Sequence, residues 1–283
     1  MEKVETLIAN GCECEPYLTA DDTLLRNHTD KVLAGMHIIA HVLKPGRMVL
    51  AVEENKKEAI ERLKQNLEKE TDIELVVLPT RFPQGAEKQL IQAVTGREVP
   101  PGQLPASVGC AVFNVATFAA TYDAVVLGKA VTERIVTVSG EGVKKPENFR
   151  IPIGTSYGDV LEAAGGVKDE TCKIITGGPM MGYAQEDLSV ATIKGTNGVL
   201  GLVDSPITDD YACIRCGKCL TVCPMNLQPL HLFEQVQLNN RKGMEHYYLT
   251  DCIECGCCSY SCPGKVPLTS SFKQAKIRLK EEA

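Results

Sequence analysis

The chain contains the stretch Cys213-Ile-Arg-Cys216-Gly-Lys-Cys219-Leu-Thr-Val-Cys223-Pro224 and, further along, Cys252-Ile-Glu-Cys255-Gly-Cys-Cys258-Ser-Tyr-Ser-Cys262-Pro263. Both stretches follow the spacing C-x2-C-x2-C-x3-C-P, so that four cysteines and a proline recur in register. Nine of the 13 cysteines of the 283-residue chain lie in this part of the sequence. Two copies of one cysteine pattern predict a domain with internal two-fold repetition.

This spacing is typical of proteins that bind iron–sulfur clusters. Three thiolates at intervals of three residues can surround one face of a four-iron cube, and the fourth cysteine, followed by proline, ligates the other cluster. The first cluster is therefore expected to take Cys213, Cys216, Cys219 and Cys262, and the second to take Cys252, Cys255, Cys258 and Cys223. Two zinc sites are the alternative, but zinc usually binds two separated cysteine pairs and needs no trailing Cys-Pro. The sequence thus predicts two [4Fe–4S] clusters.

The segments around the cysteines have helical periodicity. Apolar residues recur at helical spacing over 230–249, and a second helix is expected over 266–279. We therefore predict that residues 197–283 form an all-helical two-cluster ferredoxin domain rather than a small ferredoxin edged by strands.

The first part of the chain alternates between apolar strand patterns and helical patterns. The expected strands cover 4–8, 47–52 and 73–78, and the expected helices cover 21–43, 56–70 and 112–126, with Thr19 as the N-cap of the first helix. Such alternation favours parallel βα units, in which helices cover a sheet. Residues 1–131 are predicted to form an α/β nucleotide-binding-like domain.

The middle of the chain has a different character. Strand patterns at 134–139 and 149–153 flank glycine-rich turns, a single short helix is expected at 157–164, and 195–210 has the composition of a linker. Residues 132–196 are therefore predicted to form a compact β-rich unit.

Composition and charge exclude several classes of protein. There is no run of 18 apolar residues, so no membrane-spanning helix is expected. There is also no signal-peptide pattern, so the cysteines are not expected to form a disulfide framework. With 30 basic and 36 acidic residues, the net charge of −6 argues against a nucleic-acid partner.

Three motifs resemble one family over essentially the whole chain. They are Asn10-Gly-Cys-Glu-Cys-Glu-Pro-Tyr17, Gly177-Gly-Pro-Met-Met-Gly182 and Leu249-Thr-Asp-Cys-Ile-Glu-Cys-Gly256, and together they resemble the C subunit of the Rnf electron transport complex. The resemblance implies a subunit that relays single electrons between a flavin/NAD(H) site and partner subunits of a membrane-bound ferredoxin:NAD oxidoreductase. It also implies a ferredoxin-type carrier as partner and a peripheral position on the cytoplasmic side of the cell membrane.

The front of the chain is also similar to the flavin- and NADH-binding subunit of respiratory complex I. The family pattern N-A-D-E-S-E-P-G corresponds to residues 10–17, and the pattern N-N-V-E-T corresponds to residues 113–117. The matching residues imply an FMN site near Asn10, Glu13, Glu15, Asn114 and Thr117. The β-rich unit in turn resembles the β-grasp, SLBB-type module of the same subunit.

Both families carry a glycine-rich phosphate loop ahead of the segment with which this sequence starts. The chain is therefore expected to be a truncated family member that binds FMN weakly or not at all, carries out no NADH chemistry alone and holds no catalytic residue. Two other functions stay open. One is a cobalamin reductase of a bacterial microcompartment, and the other is a scaffold protein whose clusters are structural.

Overall fold

A computed structural model describes residues 3–68, 72–204 and 212–281 of the chain. The chain divides into two compact units, residues 1–205 and 206–283. Each unit is described by itself below.

The first unit begins with a four-stranded parallel sheet in the order β3-β2-β1-β4. Its strands are β1 (Thr6–Gly11), β2 (Arg47–Glu53), β3 (Ile73–Leu78) and β4 (Cys110–Asn114). The two central strands are buried on both faces, which explains their continuous apolar sequences. The chain moves outward from β1 to β3 and then returns to the other side of β1, so β1 and β4 flank the point where the strand order reverses.

Helices cover both faces of this sheet. One face carries α1 (Ala20–Asn27), α2 (Thr29–Leu43), α3 (Lys57–Leu67) and α5 (Val115–Leu127), and the other carries α4 (Glu87–Thr95). Helices α2 and α5 approach each other closely at Gly35, where a Cβ atom would overlap the carbonyl oxygen of Phe118. Pro105–Val108 is a 3-10 helix that leads into β4.

Two elements differ from the sequence-based expectation. The single helix expected over 21–43 is broken at His28, whose φ of −138° is not helical and whose ring lies 3.0 Å from the guanidinium of Arg150 on a later strand. The helix expected over 112–126 begins only at Val115, because residues 110–114 pair with β1 as an edge strand. Both corrections reflect long-range pairing that overrides local periodicity.

The β-rich part of the first unit is a five-stranded sheet in the order β6-β5-β9-β7-β8. Its strands are β5 (Glu133–Ser139), β6 (Glu147–Pro152), β7 (Lys173–Thr176), β8 (Tyr183–Gln185) and β9 (Gly198–Leu202), with α6 (Tyr157–Ala163) packed on the sheet. The expected linker over 195–210 therefore contains the central strand of this sheet. Strand β9 also lies beyond the boundary predicted at residue 196. Its five residues include two glycines and carry too little pattern for the sequence to predict a buried strand.

Contacts within the first unit join the two sheets. Leu18 packs with Ile175 and Leu200 of the second sheet. The Asn148 amide on β6 donates to the hydroxyls of Thr19 and Thr23, at 2.9 and 2.7 Å. The turn between β1 and α1 is thus packed against the five-stranded sheet.

The second unit is helical over its described residues. It contains α7 (Lys218–Thr221), α8 (Pro229–Gln237), α9 (Arg241–His246), α10 (Cys257–Tyr260) and α11 (Leu268–Glu281), with a 3-10 helix at Leu249–Asp251. Leu232, Met244 and Phe272 form the centre of its core. No helix in the described ranges is long and apolar enough to cross a lipid bilayer.

Candidate functional site

The cysteines of the second unit line two cavities. One cavity is lined by Cys213, Cys216, Cys219 and Cys262, and the other by Cys252, Cys255, Cys258 and Cys223 together with Cys257. Each cavity encloses about 370 Å³, part of which is open to solvent. The fourth cysteine of each run therefore lies with the first three cysteines of the other run.

The backbone repeats its turns at equivalent positions of the two runs. Arg215 and Glu254, which precede the second cysteine of each run, have left-handed φ values of 54° and 58°. Gly217 and Gly256, which follow that cysteine, have φ values of 74° and 85°. Left-handed conformations are costly outside glycine, so their recurrence at matched positions indicates that the chain is shaped around a common kind of centre.

The two cavities have apolar walls but differ in exposure. Leu230 and Phe233 line the first cavity, and Leu232 and Phe272 line the second. Cys213 and Cys216 of the first cavity are exposed, whereas Cys255 and Cys258 of the second are buried. Burial raises the pKa of Cys255 to about 12 and that of Cys258 to about 11. Metal binding at the second cavity would therefore release protons from these thiols.

The geometry bears on the zinc alternative. Within the described ranges, no three His, Cys, Asp or Glu side chains are arranged to hold a single metal ion. One zinc ion would need four sulfurs at about 2.3 Å from a common point, whereas a [4Fe–4S] cluster binds each sulfur through a different iron. Four thiols that line one apolar cavity, without three of them placed around a single metal position in the described ranges, fit a cluster.

The predicted flavin residues lie at the carboxyl edge of the parallel sheet. Asn10 at the end of β1 and Asn114 at the end of β4 are direct partners in the strand register. They stand where the strand order reverses, which is the usual ligand position in open α/β sheets. The side chain of Asn10 is used internally, since it donates to the Gly85 carbonyl at 2.9 Å and accepts from the Cys12 N–H at 3.0 Å.

Glu13 caps the helix that follows it. Its carboxylate accepts hydrogen bonds from the backbone N–H groups of Asp21 and Asp22, at 3.0 and 3.3 Å, and lies 3.3 Å from the ammonium of Lys56. Thr19, the expected N-cap, makes no side-chain cap bond to α1. Burial, and next the neighbouring Asp21 carboxylate, raise the pKa of Glu13 to about 7.

Glu15 connects the two sheets of the first unit. Its carboxylate accepts hydrogen bonds from the N–H groups of Met180 and Met181, at 3.0 and 2.8 Å. Gly178 in the same loop has no room for a side chain, because a Cβ atom there would overlap the Glu15 carboxylate. The loop at 177–182 thus binds a carboxylate of its own chain.

Asn114 and Thr117 are exposed at the start of α5. Asn114 is the N-cap of this helix, accepts from the Ala116 N–H at 2.8 Å and donates to Asp21 at 2.7 Å. Of the five predicted flavin residues, these two are exposed, although Asn114 is also hydrogen-bonded within the chain, whereas Asn10, Glu13 and Glu15 are less exposed.

Sequence reasoning missed the charged neighbours of this edge. Glu53 at the end of β2 is 1% exposed, and burial raises its pKa. One of its oxygens accepts from the Arg81 N–H at 3.3 Å, and the other has no hydrogen-bond partner among the described residues. In the sequence, Glu53 is marked only by its position directly after the apolar residues of β2. Lys56, which pairs with Glu13, looks in the sequence like any charged residue before a helix.

Comparison with protein families finds three successive matches along the chain. Residues 1–123 match the Nuo51 FMN-binding domain, residues 135–184 match the SLBB domain and residues 212–266 match the 4Fe-4S dicluster domain. The α/β, SLBB and ferredoxin-type fold classes expected from the sequence are therefore confirmed.

A solved structure shares the fold. The NAD+-reducing [NiFe]-hydrogenase in its H2-reduced state matches with a TM-score of 0.63 and 16% identity, over 99% of this chain and 56% of that chain.

Several relatives are similar along most of the chain. The C subunit of the proton-translocating ferredoxin:NAD(+) oxidoreductase complex of Clostridium ljungdahlii is 46% identical over 254 residues, which is 88% of this chain and 55% of that protein. Its counterpart in the Na(+)-translocating complex of Acetobacterium woodii is 43% identical over 97% of this chain and 62% of its own length. The C subunit of the ion-translocating oxidoreductase complex of Pasteurella multocida is 41% identical over 99% of this chain and 34% of its own length. The chain thus spans between about a third and six-tenths of these relatives, and over that span it is similar to the C subunits of ion-translocating ferredoxin:NAD(+) oxidoreductase complexes.

Proposed function

We propose that the chain is an electron-transfer subunit that relays single electrons through two [4Fe–4S] clusters. The observation that carries this proposal is the convergence of Cys262 with the first cysteine run and of Cys223 with the second. A pattern made for two independent zinc knuckles would not need this exchange of the fourth ligand.

Each cluster has its own proposed set of ligands. The first cluster is held by Cys213, Cys216, Cys219 and Cys262, and the second by Cys252, Cys255, Cys258 and Cys223. When bound, such a cluster supplies a one-electron redox couple. The chain holds the clusters at fixed positions within one helical core and surrounds them with apolar side chains such as Phe233 and Phe272 that limit access of water.

We further propose that FMN binds at the carboxyl edge of the parallel sheet. Asn114 and Thr117 are the residues proposed to contact it, because both are exposed at the N-terminus of α5, where backbone N–H groups favour an anion. Asn10, Glu13 and Glu15 are proposed to shape this edge through the contacts described above. NAD(H) chemistry is proposed for the ferredoxin:NAD(+) oxidoreductase complexes to which the relatives belong.

The relatives' names suggest the setting in which the chain works. They are subunits of ion-translocating ferredoxin:NAD(+) oxidoreductase complexes, so the proposed partners are other subunits of such a membrane complex and a ferredoxin-type carrier. The proposed location is peripheral, on the cytoplasmic side of the membrane. The proposed domain limits are those expected above, with the end of the second domain moved past β9 to residue 204.

The test is anaerobic purification followed by analysis of iron, sulfide and zinc. We expect about eight irons and eight sulfides per chain, and a visible absorption that bleaches reversibly with dithionite. Replacing Cys262 with alanine should lower the iron content and alter the cluster held by the first run. Cys257→Ala is the matched control, because Cys257 lines the second cavity but lies outside the repeated spacing. Stoichiometric zinc without sulfide would overturn the proposal, and redox-silent clusters would favour a structural scaffold.

Flavin binding is tested separately by titrating FMN into the purified chain and following flavin fluorescence. We expect Asn114→Ala to weaken any binding, with the exposed Asn66→Ala on α3 as the control. Equal affinities for these two variants would place the flavin elsewhere.

A further inference from the structure

The second cysteine set lies in the more enclosed of the two cavities. Cys255 and Cys258 are 7% and 8% exposed, whereas Cys213 and Cys216 of the first set are exposed. Reduction adds one negative charge to a centre. In an enclosed apolar cavity, water screens that charge poorly. A fixed charge close to the second set therefore has a larger influence on reduction than the same charge at the surface.

A lysine and a glutamate occupy such a position. The Lys276 ammonium, on α11, donates to the backbone carbonyl of Cys252 and to the Glu254 carboxylate at 2.9 Å. The Lys276 and Glu254 side chains are only 17% and 29% exposed. The backbone N–H of Glu254 also donates to the Cys252 sulfur at 3.4 Å. The ammonium is thus held against the backbone of the first cysteine of the second run, and the carboxylate is held beside the ammonium.

The equivalent position of the first run carries the opposite charge in a different environment. Arg215 occupies the position that Glu254 has in the second run, with nearly the same φ. It pairs with Glu234 at 2.9 Å, but the two side chains are 68% and 40% exposed. Solvent screens such a pair strongly. The internal repeat therefore places a partly buried charge pair beside one set of cysteines and a solvated pair beside the other.

We propose that Lys276 and Glu254 tune the reduction potential of the second cluster, with Lys276 raising it and Glu254 lowering it. The proposal rests on the proposed function, since it presumes that the cysteines hold clusters. The ammonium stabilises the added electron and offsets part of the cost of burial, while the carboxylate restrains that effect. Both are positioning residues, because neither ligates the cluster.

The experiment compares Lys276→Met with Glu254→Gln in the full chain, purified or reconstituted anaerobically. Midpoint potentials are measured by redox titration monitored by electron paramagnetic resonance. We expect one of the two cluster midpoints to move to lower potential in K276M and to higher potential in E254Q, with the other midpoint unchanged. Lys276→Arg should keep the wild-type value. Lys280→Met is the matched control, because Lys280 is exposed one turn further along the same helix.

Opposite shifts separate charge from structure. Loosening of α11 would move the midpoint potential in the same direction in both variants and would lower their iron content, which is measured on the same samples. Midpoints that stay in place, or that move in the same direction in both variants, would overturn the inference and leave the proposed function intact. Wild-type protein without clusters would instead overturn the proposed function, and the inference would fall with it.

Discussion

Replacing Glu15 with alanine should release the loop at 177–182 from the parallel sheet. The carboxylate accepts two backbone N–H bonds, from Met180 and Met181. Hydrogen bonds to charged groups contribute about 1.5–3 kcal/mol each, and about 1.4 kcal/mol corresponds to a tenfold change in an equilibrium. The Met180 amide should therefore exchange its hydrogen roughly 10- to 100-fold faster in the variant. Met181 is 41% exposed, so water replaces its partner more easily and the increase should be near the lower end.

Hydrogen exchange followed by mass spectrometry measures this locally, without requiring reversible unfolding of the whole chain. Glu133→Ala is the control, since Glu133 is a carboxylate on β5 in an exposed pair with Arg150. The peptide that contains Met180 should exchange at the wild-type rate in that variant. Equal rates in the E15A variant and wild-type protein would refute the view that this carboxylate holds the loop.

Two other variants test the first unit, one through proton binding at Glu13 and the other through packing at Gly35. Because burial raises the pKa of Glu13 from 4.5 to about 7, the folded chain binds this proton more tightly than the unfolded chain. The free energy of unfolding should therefore fall as the pH rises from about 4.5 to 7, and Glu13→Gln should flatten that slope in urea titrations at several pH values; an unchanged slope would contradict the assignment. Gly35→Ala should lower the free energy of unfolding by about 1–2 kcal/mol, because overlap with Phe118 outweighs a gain in helix propensity of about 1 kcal/mol. Gly158→Ala on α6 has room for a methyl group and should be neutral or stabilising in the same urea titration, so equal losses for both glycines would contradict the packing argument.

The elements best predicted from the sequence are those whose pattern is complete within a few residues. Strand β2 contains the continuous apolar run 48–52 and strand β3 is apolar except at Glu74, and the structure places both strands where the pattern does. The cysteine runs are similarly self-contained, because the spacing itself reflects the shape of the group that they surround. For that reason the grouping of Cys262 with the first run could be anticipated from the sequence.

The parts that could not be predicted depend on residues far apart in the chain. Asp21 and Asp22 at the start of α1 are capped by Glu13, which lies several residues upstream, whereas local rules favour Thr19. The break at His28 coincides with a contact to Arg150, more than 100 residues later. In the sequence, Glu15 looks like an acidic residue in a solvated turn, and only the fold brings it to Met180. At the sheet edge, tertiary contacts determine which matched residues remain exposed to a ligand.

The position of β9 imposes an order on the folding of the chain during its synthesis. Strands β5 and β6 form one antiparallel pair and β7 and β8 form another, and in the described pairing β9 lies between them and bonds to both. Each pair joins strands that are consecutive in the sequence, but the two pairs can join into a single layer only after Leu202 has emerged from the ribosome. Ribosomes that stall before that residue would therefore carry two unjoined hairpins with exposed inner edges, a form prone to aggregation.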